Sequence, residues 1–333
     1  MKILLTGGAG FIGSHTAIEL ISNGHEVVIL DNFSNADPGV IQTIEKLAHK
    51  TVPCITLDVR EQLKLENVLR DHAIDAVIHF AGLKAVGESV IDPLNYYDQN
   101  VKGALSLLQA MKAVSVKTLV FSSSATVYGN PHYLPIDEKH PLDSQNPYGR
   151  TKFFIEQIMK DLADADPDWK MICLRYFNPV GAHPSGLLGE SPNGIPNNLM
   201  PFVAKVAAGK YPKVNVFGND YATVDGSGVR DYVHVCDVAE GHLAALQYLQ
   251  KTSGWHAVNL GTGKGTSVLE LIHEFQLAAS ASITYEIAER RSGDVASCYA
   301  DALKAKELFS WEASRNLRQM CEDAWRWESV QKK

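Results

Sequence analysis

Lys2-Ile3-Leu4-Leu5-Thr6-Gly7-Gly8-Ala9-Gly10-Phe11-Ile12-Gly13 joins a short apolar run, a glycine cluster and a helical pattern that continues to Asn23. Its glycines satisfy G-x-G-x-x-G from Gly8 and G-x-x-G-x-x-G from Gly7. Between a strand and a helix, such glycines permit a tight turn and bring backbone N–H groups close to an anion at the helix N-terminus. His25–Leu30 and Val52–Leu57 read as the second and third strands, Asp75–Phe80 and Lys117–Ser122 as the fourth and fifth. Helices are expected near Arg60–Asp71 and Pro93–Ala113. Near-continuous runs such as Glu26-Val27-Val28-Ile29-Leu30 suit strands buried on both faces of a parallel sheet. Strand and helix in alternation predict an α/β fold, a doubly wound parallel sheet of Rossmann type.

After about residue 175 Gly and Pro cluster through Asn178–Pro201, and the texture becomes that of long functional loops. We therefore expect a dinucleotide-binding domain over residues 1–175 and a smaller α/β substrate lobe over 176–333, parts of which return to the sheet. A chain of 333 residues that is 45% hydrophobic and 21% charged has ample material for a buried core. A net charge of −7 argues against nucleic acid and against a polybasic membrane patch. No apolar run reaches the ~18–20 residues of a membrane span. The opening run breaks at Gly7, too early for a signal peptide. The five cysteines are scattered and never paired as CxxC, which fits neither a disulfide framework nor a structural zinc site. A reducing cytoplasm is the expected location.

Asp31 ends the second strand where a carboxylate accepts hydrogen bonds from a ribose 2′-hydroxyl and repels a 2′-phosphate, which favours NAD over NADP. Asp58-Val59, Phe80-Ala81-Gly82-Leu83-Lys84 and Ser122-Ser123-Ser124 follow later strands and should line the same crevice. Tyr148 and Lys152 stand at i, i+4 on one face of an expected helix. A phenol titrates near pH 10, so lowering it by about three units takes roughly 4 kcal/mol of phenolate stabilisation. The Lys152 ammonium and a cationic nicotinamide can supply that in a poorly solvated cleft. Such a phenolate removes the proton from a substrate hydroxyl, and Ser124 can hydrogen-bond the same oxygen. His15, His79 and His234 read as packed histidines, and the spacing of Asp231, His234 and Asp237 matches no known metal geometry. No metal is expected. Trp325 and Trp327 read as anchors of a last helix.

Gly7–Gly13, Asp31, Phe80–Lys84, Ser122–Tyr128 and Tyr148–Lys152 together resemble the extended short-chain dehydrogenase/reductases. The longer strings His79–Ser89, Arg175–His183 and Arg230–Val235 resemble the UDP-glucose 4-epimerase family, over essentially the whole chain. The resemblance implies Ser124, Tyr148 and Lys152 as the catalytic trio. It implies tightly bound NAD held by Phe11, Ile12, Asp31, Asn32, Asn35, Asp58, Val59, Phe80, Ala81, Gly82, Lys84 and Phe177, beside the glycines Gly7, Gly10 and Gly13 and the strand-end Ser122. UDP-sugar contacts fall to Asn178, Asn198, Leu199, Asn215, Val216, Phe217, Arg230, Arg291, Asp294 and Cys298, together with Ser124 and Tyr148. Arginines at 230 and 291 suit a diphosphate, and Asn215–Phe217 looks like a strand edge that could meet a uracil.

The implied reaction interconverts UDP-galactose and UDP-glucose. Tyr148 takes the O4 proton, hydride passes to NAD, and a 4-keto sugar turns over before the return. Cys298 stands where members restricted to plain hexoses have a tyrosine, so UDP-N-acetylgalactosamine and UDP-N-acetylglucosamine are expected substrates as well. Gln99-Asn100 departs from the family's paired asparagines, and Ser292 from an often charged position. Helices after the fourth and fifth strands are expected to pair in a homodimer. Two alternatives are a 4,6-dehydratase, which would need an acidic pair where this chain has Ala125-Thr126-Val127, and a non-catalytic NAD(H) sensor, which would need neither Tyr148 nor Lys152.

Overall fold

The computed structural model describes residues 1–331 apart from 192, 193, 195, 197 and 292. Ser292 and part of the Pro192–Pro196 stretch therefore lie outside the described residues. The first half runs β1 (Lys2–Thr6), α1 (Phe11–Ser22), β2 (Glu26–Asp31), α2 (Gly39–Ala48), β3 (Cys54–Thr56), α3 (Gln62–Asp71), β4 (Ala76–His79), α4 (Val86–Ile91), α5 (Pro93–Tyr96), a π-helical stretch (Tyr97–Lys102), α6 (Gly103–Ala113), β5 (Thr118–Ser124), α7 (Pro147–Ala165) and β6 (Lys170–Tyr176). The second half continues with β7 (Asn178–Val180), α8 (Leu199–Ala207), β8 (Val214–Phe217), β9 (Val229–Arg230), β10 (Tyr232–His234), α9 (Val235–Leu249), β11 (Gly254–Leu260), β12 (Thr266–Ser267), α10 (Val268–Ala279), β13 (Tyr285–Ala288), β14 (Ser297–Cys298), α11 (Leu303–Phe309) and α12 (Leu317–Val330).

Seven parallel strands form the main sheet in the order β11-β6-β5-β4-β1-β2-β3. The chain builds outward from β1 to β3 and then returns to β4 on the other side. The carboxyl ends of β1 and β4 thus flank the point where ligands of open α/β sheets bind. Alternate residues of each strand serve opposite layers. Ile3, Leu5, Val27 and Ile29 pack with α1, α2 and α9, whereas Leu4, Val28, Leu30 and Phe121 pack with α3, α6 and α7. Burial on both faces explains why these strands read as continuous apolar runs. A third core joins α8, α10, α12 and β8 in the second lobe.

Two features depart from the sequence reading. The third strand is shortened to Cys54–Thr56, because Pro53 has no N–H to donate, although its carbonyl still accepts from Ile29 N. The helix expected over Pro93–Ala113 is divided by the π-helical stretch, which carries the buried Asn100. The Asn100 amide bonds both backbone groups of Leu83 and donates to Thr151 Oγ1 at 2.9 Å, tying the loop after β4 to α7. Parts of the second half join the first-half layers. α9 packs on α1, and β11 pairs with β6 from Gly254↔Lys170 to Leu260↔Tyr176.

Candidate active site

Gly7 has φ +69°, and a Cβ there would sit 2.6 Å from Ala81 N, so the turn after β1 can press against the turn after β4 only with glycine. A Cβ on Gly13 would meet Gly7 O at the same 2.6 Å. Helix α1 then begins at Phe11 with Gly10 as its N-cap, no side-chain cap and no carboxylate in its first turn. Uncapped N–H groups at the positive end of a helix dipole are suited to a pyrophosphate. Asp31 closes β2, its Oδ2 accepting from Ala9 N at 3.0 Å and its Oδ1 from Phe33 N at 2.9 Å. Burial pushes this carboxyl up against those bonds. Each carboxylate oxygen keeps a further lone pair for a ribose hydroxyl.

Further along the crevice, the Arg60 guanidinium grips Asp58 with Nε and Nη2, at 2.9 and 2.7 Å, and holds its carboxyl down to about 2. Arg60 also bonds Asp98, and the Gln99 amide, turned oxygen-first, accepts from Arg60 Nη1 at 3.1 Å. Asn32 reaches Asp58, Val59 is buried beside it, and Asn35 is exposed on the loop after β2. Phe80 is partly buried against the ring of His242, and Gly82 is exposed. These residues fit a dinucleotide: an uncapped helix end, a carboxylate at ribose distance along the chain, and turns that exclude side chains.

Helix α7 is started by Asn146, whose Oδ1 accepts from Gly149 N, followed by Pro147 in the first turn. That start sets Tyr148 beside the Ser124 hydroxyl at the end of β5. One turn on, Lys152 Nζ donates to Ser122 O at 2.7 Å, lies 4.8 Å from the Phe121 ring centroid and stands 5.9 Å from that of Tyr148. Burial lowers the Lys152 ammonium to about 8. Burial also raises the Tyr148 phenol, with only Ser124 pulling the other way. The sequence reading expected a phenol lowered by Lys152 together with a cationic nicotinamide. In the chain alone the direction is upward, because desolvation wins.

The second lobe supplies the facing wall. Arg230 of β9 is in register with Cys298 of β14, and its Nη2 lies 3.8 Å from Asp294 Oδ1. Arg291 pairs with Asp294 at 2.8 Å and lies 4.7 Å from the centroid of Phe217, at the end of β8. Asn215 is exposed and Val216 buried on the same strand. Cys298 packs against the cluster of Val127, Tyr128, Ile136, Phe177 and Ala300, which Ala125 and Phe153 also border. Tyr299 points elsewhere, toward Gly265. Asn178, next to Phe177, donates its N–H to Asp231 O. Asn198 caps the start of α8 at Leu199, and its amide donates to Glu190 Oε1, which also accepts from Lys84 Nζ, both at 2.8 Å. The structure thus joins a residue read for the cofactor to one read for the substrate.

A sequence model of the NAD dependent epimerase/dehydratase family matches residues 3–261. The chain belongs to that family. It is 53% identical over 329 residues to the UDP-glucose 4-epimerase of Bacillus subtilis, covering 99% of this chain and 97% of that one. It is 52% identical over 334 residues to the human UDP-glucose 4-epimerase, covering 98% and 96%. Among solved structures, the Stenotrophomonas maltophila UDP-glucose-4-epimerase with bound NAD and formylated UDP-arabinopyranose superposes with a TM-score of 0.98 at 48% identity, covering 100% of this chain and 99% of that one. The Bifidobacterium longum enzyme in complex with NAD+ and UDP gives 0.96 at 50%, covering 99% and 98%.

For this member of the epimerase/dehydratase family, sequence reasoning missed Arg60, Glu156 and Glu190, whose partners lie on other elements. The histidines are packed as expected. His79 Nδ1 shares a hydrogen bond with Thr6 Oγ1, and His234 caps α9. Asp231 is engaged by Thr262, Gly263 and Ala300, and Asp237 by Ser314 and Arg315. Among the described residues no three His, Cys, Asp or Glu side chains are grouped to hold a metal, and no helix is long and apolar enough to cross a membrane.

Replacing Asp31 by Ala should cost NAD about tenfold to a hundredfold in affinity, the worth of charge-assisted bonds of ~1.5–3 kcal/mol. NADP should lose much less, since the repelling charge goes with it. Reconstituting cofactor-stripped protein with each dinucleotide measures this, and unchanged selectivity would assign discrimination to another residue.

Proposed function

We propose that the chain interconverts UDP-galactose and UDP-glucose in the crevice at the carboxyl ends of the sheet. What supports this is a chain about half identical throughout to UDP-glucose 4-epimerases, in which Tyr148 and Lys152 meet Ser124 and Ser122 at the end of β5 and Arg230 stands in register with Cys298. Bound NAD supplies the acceptor and then the donor of the hydrogen at sugar C4, so the reaction has no net redox change. Every other part belongs to the protein.

The uncapped end of α1 with Gly7, Gly10, Phe11, Ile12 and Gly13 holds the pyrophosphate, and Asp31 holds the adenosine ribose. Asn32, Asn35, Asp58 and Val59 border the base. Phe80, Ala81, Gly82, Lys84, Ser122 and Phe177 border the remaining cofactor, and this enclosure retains it tightly. The guanidinium groups of Arg230 and Arg291 take the substrate diphosphate, while Asn178, Asn198, Leu199 and Asp294 complete that wall. The edge strand Asn215–Phe217 offers its backbone to the uracil. Tyr148 Oη takes the proton from sugar O4 and returns it, Ser124 Oγ orients the same oxygen, and the Lys152 ammonium favours the phenolate. Ala125-Thr126-Val127, a single 3₁₀ turn, carries no carboxylate for the proton transfers of a 4,6-dehydratase.

Residues 1–175 thus serve mainly the dinucleotide and 176–333 mainly the sugar nucleotide, with α9 and β11 returned to the sheet. A homodimer accounts for the apolar surface of α4–α7. Ile91 and Leu94 are 86% and 79% exposed, with Val90, Leu105 and Phe154 also exposed, and a second copy of the same helices covers such a face. Five free cysteines suit a reducing cytoplasm.

Purified protein given UDP-galactose and no added NAD should form UDP-glucose, and absence of product would contradict the reading. Tyr148→Phe should keep NAD bound while turnover falls by about 10²–10⁴-fold. Near-full turnover would remove Tyr148 from its role. The wild type should also accept the N-acetylated sugar pair, because Cys298 leaves space beside the sugar. Cys298→Tyr should abolish that activity selectively while the plain hexoses are still converted. Equal loss on both pairs would refute the gate.

A further inference from the structure

Helix α7 meets the end of β5 three times, once per turn. Tyr148 lies beside Ser124, Lys152 Nζ donates to Ser122 O at 2.7 Å, and the Ser123 hydroxyl donates to Glu156 Oε1 at 2.5 Å. Neither the fold nor the proposed reaction uses that third contact. Glu156 is 0% exposed. Arg175 of β6 grips it with Nε to Oε1 at 3.0 Å and Nη2 to Oε2 at 2.5 Å. Arg175 Nη1 in turn donates to Tyr128 Oη, which donates to Asn259 Oδ1. The carboxylate is therefore fixed from three sides and shielded from water.

We infer that Glu156 is a positioning residue for the proposed proton transfer, keeping Lys152 charged and seated on the Ser122 carbonyl. This deepens the reading of Tyr148 and Lys152 above and rests on it. Taking an ammonium out of water strongly favours its neutral form. The groups facing Lys152 are Tyr148 and Glu156 on its own helix, His79 on β4, the Phe121 ring and Ser122 on β5, and Cys173 on β6. His79 is pushed down to about 3 and is neutral, and burial pushes the Cys173 thiol well up, so it is neutral too. Glu156 is the carboxylate of this set, ion-paired with Arg175 of β6. Its spacing from Lys152 is the i, i+4 of neighbours on a helix. As a mere fastener, a buried Glu–Arg pair is no better than two apolar side chains. What this one adds is a carboxylate held one helical turn from the ammonium.

The test compares the wild-type holoenzyme with Glu156→Gln and with the double variant Glu156→Gln/Arg175→Met, which leaves no unpaired buried cation. The kcat and KM on UDP-galactose are measured across pH, with NAD content and melting temperature for each protein. In both variants the pH above which kcat falls should move down by about one unit, as when a nearby opposite charge is lost. KM should change less than about threefold, because the substrate wall is untouched. The double variant should recover melting temperature lost by the single one without recovering the pH profile. A wild-type profile in the double variant would overturn the inference and leave the pair a structural support. A wild type that leaves UDP-galactose unconverted would overturn the underlying reading, a result distinct from any difference among variants.

Discussion

The bond from the Lys152 ammonium to the Ser122 carbonyl is the constraint around which the site is organised. A full positive charge lies out of water at the end of a central parallel strand, where it costs several kcal/mol unless paired. A carbonyl, an aromatic face and a nearby carboxylate offset that cost. The carbonyl and the aromatic face, both on β5, fix α7 in rotation as well as position. Tyr148, one turn earlier, is thereby delivered to Ser124. Farther along, Ile155 and Met159 turn the same helix into the apolar layer over β5 and β6. Packing and chemistry are set by one contact surface.

The two halves of the chain meet at this point for a reason of topology. The sheet reverses direction at β1 and β4, so the turns after those strands and after β5 open on one crevice. The second lobe closes it through β9 and β14, which set Arg230 opposite Cys298. Lys84, Glu190 and Asn198 form a further link, one carboxylate oxygen shared by an ammonium and an amide from opposite sides of the crevice. The same wall that gathers Arg230 and Arg291 around Asp294 also sets the small Cys298 side chain against the cluster of Val127, Tyr128 and Phe177.

Most of the framework was legible because it is written locally. β1, β2, β4 and β5 announce themselves as apolar runs, the glycine turn follows from Gly7–Gly13, and Tyr148 with Lys152 follows from helical spacing. What escaped reading depends on distant partners. Glu156 finds Arg175 on another element, and Glu190 finds Lys84 across 106 positions, with nothing in either local sequence to announce it. The π-helical stretch before α6 carries an Asn100 whose partners, Leu83 and Thr151, lie on a loop and on α7. Spacing reports which charge lies near Tyr148, whereas the loss of solvation that raises its phenol in the chain alone follows from burial, which local sequence does not show.

The account's central claim is that this buried phenol becomes the working base only when positive charge surrounds it. Ultraviolet difference titration of the NAD-loaded protein, wild type minus Tyr148→Phe, reads the Tyr148 phenolate directly. The account predicts an ionisation well below the ordinary ~10 in the loaded protein and one above the ordinary value after the cofactor is stripped. A loaded protein whose Tyr148 ionises at or above ~10 would contradict it.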